Sequence, residues 1–369
     1  MVFLINCSNL KAGGGLQVAD SICCMLKEIP QHQFVVILSS ALKNVYLKIS
    51  NTEHIIPITY DIKNSLYTLL LGRDSFLDNL VIRYKVNSVL TVFGPSKWIP
   101  KCPHLCGFAR AQLILKDSPY LQHCTLKEKL SFIIWKWAFK RSSKIFYTEN
   151  DSISKKIPEH FGKVKVYTVT NYYNQVFDHP EIWGHKYSLP KFNGTTILCI
   201  STFSKHKNLQ IIPLIIKYLR ENHPNFSFRF VLTINKDNMP VPDERLYQHI
   251  LFLGKIDIAE CPYLYEQSDI MFMPTLMECF TATYPEAMRM EKPIITTDLD
   301  FAHGLCGNAA YYFESTNYRD AAEAIIKVSS NKELSQRLIE FGKMQLKKFD
   351  NYNQRAEKLV SILEEIAIS

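Results

Sequence analysis

The stretch DIMFMPTLMECFTATYPEAM, residues 269–288, decides how this chain is read. Its first six residues are an apolar run closed by Pro274, the pattern of a short buried strand that ends in a loop. Glu278 follows in that loop. After an apolar-aromatic turn, Pro285 and Glu286 enter a helix, and proline suits a first helical turn. Glu286 is favoured there by the helix dipole, whatever else it does. Glu278 has no such local reason. Ligands of α/β sheets bind at the carboxyl ends of strands, and a carboxylate there can accept hydrogen bonds from the two hydroxyls of a sugar or ribose diol. The backbone N–H groups of Phe280, Thr281, Ala282 and Thr283 lie between the two glutamates and can face phosphates.

Around this stretch, short β-branched runs alternate with helical periodicity over the whole chain, the signature of parallel βαβ units. The first half offers strands at 2–7, 34–39, 54–59, 88–93, 104–109, 144–148 and 164–169. The second offers them at 195–201, 226–234, 250–254, 269–274, 293–297 and 309–313. Leu16, Ala19, Ile22, Cys23 and Leu26 recur at helical spacing, so a helix is expected over 16–28, and another from about 208 to 221. Residues 178–196 lose periodicity and gain proline, glycine and charge, as a linker does. The expected fold class is α/β, with two Rossmann-like, doubly wound domains facing an interdomain cleft. The expected domains are a first domain over 1–180, a second over 181–350, and a C-terminal helix over 351–369 that packs back on the first domain.

Two more loops carry chemistry-bearing residues. Gly13, Gly14 and Gly15 follow the first strand and open the first helix, where backbone N–H groups can meet an anion. Consecutive glycines do not make the G-x-G-x-x-G fingerprint, and the second strand ends in Ser39-Ser40 rather than an acidic residue. Both features argue against a nicotinamide or flavin cofactor. The alternative is a tight turn with no ligand. In CISTFSKHKNL (199–209), Ser201, Lys205 and Lys207 sit between a strand and the helix after it, where they can hold a phosphate or can simply be solvated.

Bulk properties narrow the classes. A chain of 369 residues with 47% hydrophobic and 21% charged residues is a buried, globular protein. Its net charge of +8 favours anionic ligands or an anionic surface. No basic stripe with stacking residues supports nucleic-acid binding. No secretory signal and no apolar run of membrane-spanning length is visible, so the expected location is cytoplasmic. The ten cysteines then read as reduced core thiols. Cys102, His104, Cys106, His123 and Cys124 form a Cys/His cluster without zinc-like spacing, so no metal is expected. The segment 130–144 mixes Trp135, Trp137 and Phe139 with Lys136, Lys140 and Arg141. It is either a helix lying on an anionic bilayer or a domain helix burying a face that includes Ile133, Ile134 and Trp137.

Taken together these segments resemble the retaining glycosyltransferases of family 4, which have the GT-B fold. The resemblance spans essentially the whole chain, in order: GGG (13–15), YTENDSISKKI (147–157), TVTNYYNQVF (168–177) with Asn171 in an asparagine position, STFSKHKN (201–208), residues 252–288 with their E-x₇-E pair, and TTDLDFAHGLCGNAAYYF (296–313). It implies a nucleotide-sugar donor, UDP- or GDP-linked, and a glycan or lipid-linked saccharide acceptor. By the same resemblance, Glu286 binds ribose, Glu278 lies by the donor sugar, Lys207 lies on the diphosphate, and the amides around Phe280 and Thr281 meet phosphates and sugar. No cofactor or metal is implied. The implied role is retaining hexosyl transfer in capsular or O-antigen polysaccharide synthesis, at the inner face of the cell membrane. An epimerase or hydrolase of the same fold, or a non-catalytic nucleotide-binding assembly subunit, are the alternatives. Four positions depart from the family pattern. Ser201 replaces an arginine, which leaves Lys205 to substitute or the phosphate site weaker. Cys279 and Thr281 replace glycines. Where the family commonly keeps a histidine, this chain has Ala109 or Arg110, and Arg110 is the candidate there for phosphate or acceptor contact.

Overall fold

The computed structural model describes residues 1–62, 66–240 and 243–369, and forms thirteen strands in two sheets. The first sheet comprises β1 (Val2–Cys7), β2 (Gln33–Leu38), β3 (Ile55–Thr59), β4 (Ser88–Thr91), β5 (His104–Gly107), β6 (Ile145–Thr148) and β7 (Lys165–Thr168). Its order is β3-β2-β1-β4-β5-β6-β7 with parallel pairing throughout. The second comprises β8 (Thr195–Cys199), β9 (Phe228–Leu232), β10 (Ile250–Phe252), β11 (Ile270–Met273), β12 (Ile294–Thr297) and β13 (Ala310–Phe313). It is also parallel, in the order β10-β9-β8-β11-β12-β13. These are two Rossmann-like α/β domains of the GT-B type.

Both sheets are buried on both faces, as parallel sheets must be when helices cover each side. Phe3, Ile5 and Cys7 of β1 join Phe34, Val36 and Leu38 in one core, while Leu4, Val35 and Ile37 join Leu77 and Trp98 in another. In the second sheet Ile197, Phe230 and Phe272 meet Ile212, Ile215 and Leu219, while Leu198, Val231, Met271 and Met273 meet Tyr265, Tyr284 and Ala287. Alternate residues of a strand point to opposite faces, which is why nearly continuous apolar runs supply two cores each.

The chain divides into two units: Met1–Ile114 with Cys124–Asn171 and Asp350–Ser369, and Leu115–His123 with Tyr172–Phe349. The final helix, Tyr352–Ile368, begins with a capping box between Asn351 and Gln354. It places Ala356, Leu359 and Leu363 in the first unit's core beside Phe3 and Ile5. Thr170 and Asp350 hydrogen-bond to each other, the Thr170 amide to the Asp350 carboxylate at 2.8 Å. Arg355 donates to Asn171 Oδ1, and both are buried with Glu149. Burial lifts the Glu149 carboxyl to about 7, while Arg355 and Asn171 pull the other way.

Two sequence expectations need correction. Ile133, Ile134 and Trp137 do not form a buried face of their helix, Leu126–Ser142; they are 66%, 52% and 42% exposed. The face turned to the core is instead Ala138, Phe139 and Ser142, because the apolar residues run almost all round this helix and periodicity alone could not choose between faces. Lys205–Lys207 do not open the helix after β8. They form a separate 3-10 turn, Asn208 takes a left-handed conformation (φ 53°), and the helix begins at Ile212 with Pro213 in its first turn.

All ten cysteines are free. His104 is held in the core by Thr91 (2.9 Å) and by the Ser142 carbonyl (2.8 Å), and burial pushes it down to about 4. Among the described residues no group of three or more His, Cys, Asp or Glu is placed to hold a metal ion.

The buried Arg355 generates a prediction. Arg355→Met removes the charge that offsets Glu149 and should destabilise the protein by about 3 kcal/mol or more at pH 8. The loss should shrink at pH 6, where Glu149 is largely protonated. Thermal unfolding at the two pH values checks this, and a loss independent of pH would contradict it.

Candidate functional site

In the second sheet the strand order reverses between β8 and β11. Helical connections leave these two strands in opposite directions, so their carboxyl-end loops part and leave a crevice. The β8 loop carries Ser201, Lys205 and Lys207, and the β11 loop carries Thr275, Glu278, Cys279, Phe280 and Thr281. The structure brings the two loops together. Lys207 Nζ lies 2.6 Å from Glu278 Oε1, with the two side chains only 15% and 11% exposed. The Thr275 hydroxyl donates to the same carboxylate oxygen at 2.8 Å. The backbone locks the arrangement, because the Leu276 amide donates to the His206 carbonyl at 2.7 Å.

Glu286 lies in the short helix Thr283–Arg289, buried, and its Oε2 accepts from the Tyr265 hydroxyl at 3.3 Å. Burial raises its carboxyl to about 7, and the tyrosine hydrogen bond opposes that rise. A carboxylate so poised gains from any further donor that reaches it. Between the two glutamates, Thr281 is buried and donates to the Thr283 hydroxyl at 3.2 Å. Cys279 is buried too, while Phe280 and Ala282 are half-buried. Phe280 meets Phe349 edge to face at 6.1 Å. Ser201 is tied to Thr233, its amide donating to the threonine hydroxyl at 3.0 Å, and Lys205 is exposed.

Two features escape sequence reasoning. His206, between the two lysines, has Nε2 4.0 Å from Glu278 Oε1 and Nδ1 3.3 Å from the Ser204 hydroxyl. Segment 115–123 follows β5 in sequence yet belongs to the second unit. Its Ser118 hydroxyl donates to the Leu276 carbonyl at 2.7 Å, and the Tyr120 ring meets His206 edge to face at 6.0 Å. No periodicity marks such a strap. The turn-forming Asp117-Ser118-Pro119 is its only local signal.

In the first unit, the reversal falls between β1 and β4, and the glycine loop follows β1. Gly13 takes φ +78°, which a residue with a side chain rarely adopts. Gly14 has an ordinary φ, and a Cβ there would meet nothing within 4 Å. At Gly15 a Cβ would come within 3.4 Å of Leu10 and 3.5 Å of Phe93. Gly14 is therefore required neither by the turn nor by packing inside the unit. Earlier in the same loop, Asn9 donates to the Phe93 carbonyl at 2.6 Å and keeps a buried Oδ1 with no hydrogen-bond partner among the described residues. Arg110 lies over the Trp135 ring, 4.0 Å from its centroid.

Residues 185–345 match the family model described as glycosyl transferases group 1. Solved structures of similar fold include a glycosyltransferase from Rickettsia africae ESF-5 (18% identity, 99% of this chain and 98% of that one, TM-score 0.70). Another is WaaG, a glycosyltransferase involved in lipopolysaccharide biosynthesis (13%, 98% and 99%, TM-score 0.69). A third is Anabaena Alr3699/HepE in complex with UDP and glucose (12%, 98% and 99%, TM-score 0.63). At these identities the structures show the GT-B fold. No curated protein matches the chain. Residues 185–345 are thus similar to group 1 glycosyl transferases, within a chain of GT-B fold.

Glu286 generates a pH prediction. Its carboxyl is near 4.5 when unfolded and about 7 when folded. The folded state therefore holds the extra proton between these values, and stability falls as pH rises through that window. The full cost, about 3 kcal/mol, applies above pH 7. Glu286→Gln should melt higher than the native protein at pH 8 and near it at pH 4.5. An unchanged or lower melting temperature at pH 8 would contradict the assignment.

Proposed function

We propose that this protein moves a hexose from a UDP- or GDP-sugar to a glycan or lipid-linked saccharide acceptor, with retention of anomeric configuration, in surface polysaccharide assembly. The observation that carries the reading is the Lys207–Glu278 pair at the carboxyl ends of β8 and β11, inside the segment that matches group 1 glycosyl transferases. The similar fold of a protein that holds UDP and glucose supports a nucleotide-sugar donor.

In this reading each group has a distinct task. Lys207 leaves Glu278 to neutralise the donor diphosphate, with exposed Lys205 at the entrance in place of the arginine that Ser201 replaces. The Glu286 carboxylate accepts the ribose hydroxyls, and ligand donors favour its ionised form. Backbone amides from Phe280 to Ala282 meet the phosphates and sugar. Glu278 lies beside the sugar ring, where a fixed negative charge stabilises an oxocarbenium-like centre. The leaving diphosphate takes the acceptor proton, so the chain supplies orientation and electrostatics rather than a nucleophile. Gly14, bare and unneeded by local packing, gives a ligand close backbone approach in the first unit, and Arg110 is the acceptor-side cation.

The helix Leu126–Ser142 suits a lipid-linked acceptor. It exposes Leu126, Leu130, Ile133, Ile134 and Trp137 among Lys127, Lys129 and Lys140, the mixture that rests on an anionic bilayer surface. Among the described residues no helix is long and apolar enough to cross a membrane.

Two measurements test these proposals. Lys207→Ala should weaken UDP or GDP binding about tenfold or more and leave uridine or guanosine binding unchanged; an equal loss for nucleotide and nucleoside would contradict a diphosphate contact. Cosedimentation with vesicles rich in phosphatidylglycerol should be lost in Ile133→Asp/Trp137→Asp, whereas retention by that variant would place any lipid contact elsewhere.

A further inference from the structure

Glu278 sits almost out of water with one cation in contact, Lys207 at 2.6 Å. The reading above, on which this inference rests, requires that lysine to serve a diphosphate. Its departure leaves a nearly buried carboxylate without its counter-charge, a state that proteins avoid by supplying another partner or a proton. His206 is in place to be that partner. Its Nε2 is 4.0 Å from the same Oε1, beyond hydrogen-bond range but only about 1 Å from it. Its backbone does not have to move, since the His206 carbonyl stays bonded to the Leu276 amide.

We propose that nucleoside diphosphate binding at Lys207 is coupled to uptake of one proton by His206, which then replaces Lys207 as the partner of Glu278. The proton comes from solvent. The imidazolium donates through Nε2–H to Glu278 and through Nδ1–H to the Ser204 hydroxyl, already 3.3 Å away. The groups facing His206 are Glu278 from the β11 loop, Lys207 and exposed Lys205 from its own loop, and the edge-on Tyr120 ring from the strap.

Before binding, burial holds His206 below its ordinary range, Glu278 opposes this, and Lys207 adds to it. When the lysine turns to the phosphates, its repulsion is offset by their negative charge and the pull of Glu278 is unopposed. Both changes favour the imidazolium. The exchange keeps Glu278 paired and fixed beside the sugar while Lys207 is engaged elsewhere, so His206 is a positioning residue. The strap contributes by holding the imidazole edge against Tyr120.

The test is calorimetric titration of the full chain with UDP and with GDP at pH 7.5, in PIPES, HEPES and Tris, whose different ionisation enthalpies report the protons exchanged. The native protein should take up between about half and one proton more per bound nucleotide than His206→Gln. Any contribution from Glu286 is common to both proteins and cancels. Glu278→Gln, which removes the acceptor of the new hydrogen bond, should lose the same uptake, so the test does not depend on one variant folding. Nucleotide binding with the same proton count in the native protein and in both variants overturns this inference and leaves the donor-site reading standing. Failure of the native protein to bind either nucleotide overturns both.

Discussion

A lysine ammonium 2.6 Å from a carboxylate, both nearly out of water, is the interaction around which the carboxyl-end loops of the second sheet are organised. Each charge offsets the desolvation of the other, and each is held by a different loop of the sheet. The parallel order of β8 beside β11, with helical connections departing in opposite directions, opens the crevice in which those loops meet. Cys199 and Met273 end their strands in the two core layers, so the register that fills the cores also sets where Lys207 and Glu278 begin. The left-handed Asn208 then ends the β8 loop before the helix can start, which turns Lys207 toward the glutamate instead of leaving it at a helix end.

Buried carboxylates serve the two units differently. Glu149 follows β6 in the first unit and is answered from within the fold by Arg355 of the final helix and by Asn171. That arrangement holds the end of β6, the chain at Asn171 and the returning C-terminal helix together. Among the described residues, Glu286 has only the tyrosine hydroxyl, a neutral donor at 3.3 Å. Burial lifts both to about 7, but the first faces a buried guanidinium while the second faces a neutral hydroxyl. Glu278 is the intermediate case, answered by a lysine from a different loop.

The thirteen strands are legible in sequence because parallel strands buried on two faces are short, nearly continuous apolar runs between glycine, proline and polar turns. E-x₇-E is legible because its glutamates interrupt such a run at the carboxyl end of a strand. What is not legible depends on contacts distant in sequence. Ile133, Ile134 and Trp137 have core-like spacing, but which side of an all-round apolar helix meets the sheet is settled by Phe108, Phe146 and Phe161 packing on Phe139. His206 and Tyr120 are 86 residues apart (206 − 120), and nothing in either neighbourhood announces the other. The helix dipole accounts for Glu286 in sequence, but its burial against Tyr265 depends on a contact 21 residues away.

The most direct test of the central claim is product analysis. The full chain is incubated with UDP- and GDP-hexoses and lipid-linked saccharide acceptors, and the products are followed by mass spectrometry and NMR of the anomeric proton. The account predicts a new glycosidic bond with the donor's anomeric configuration and one nucleoside diphosphate released per sugar transferred. Sugar released only to water, interconverted without transfer, or joined with inverted configuration would contradict it.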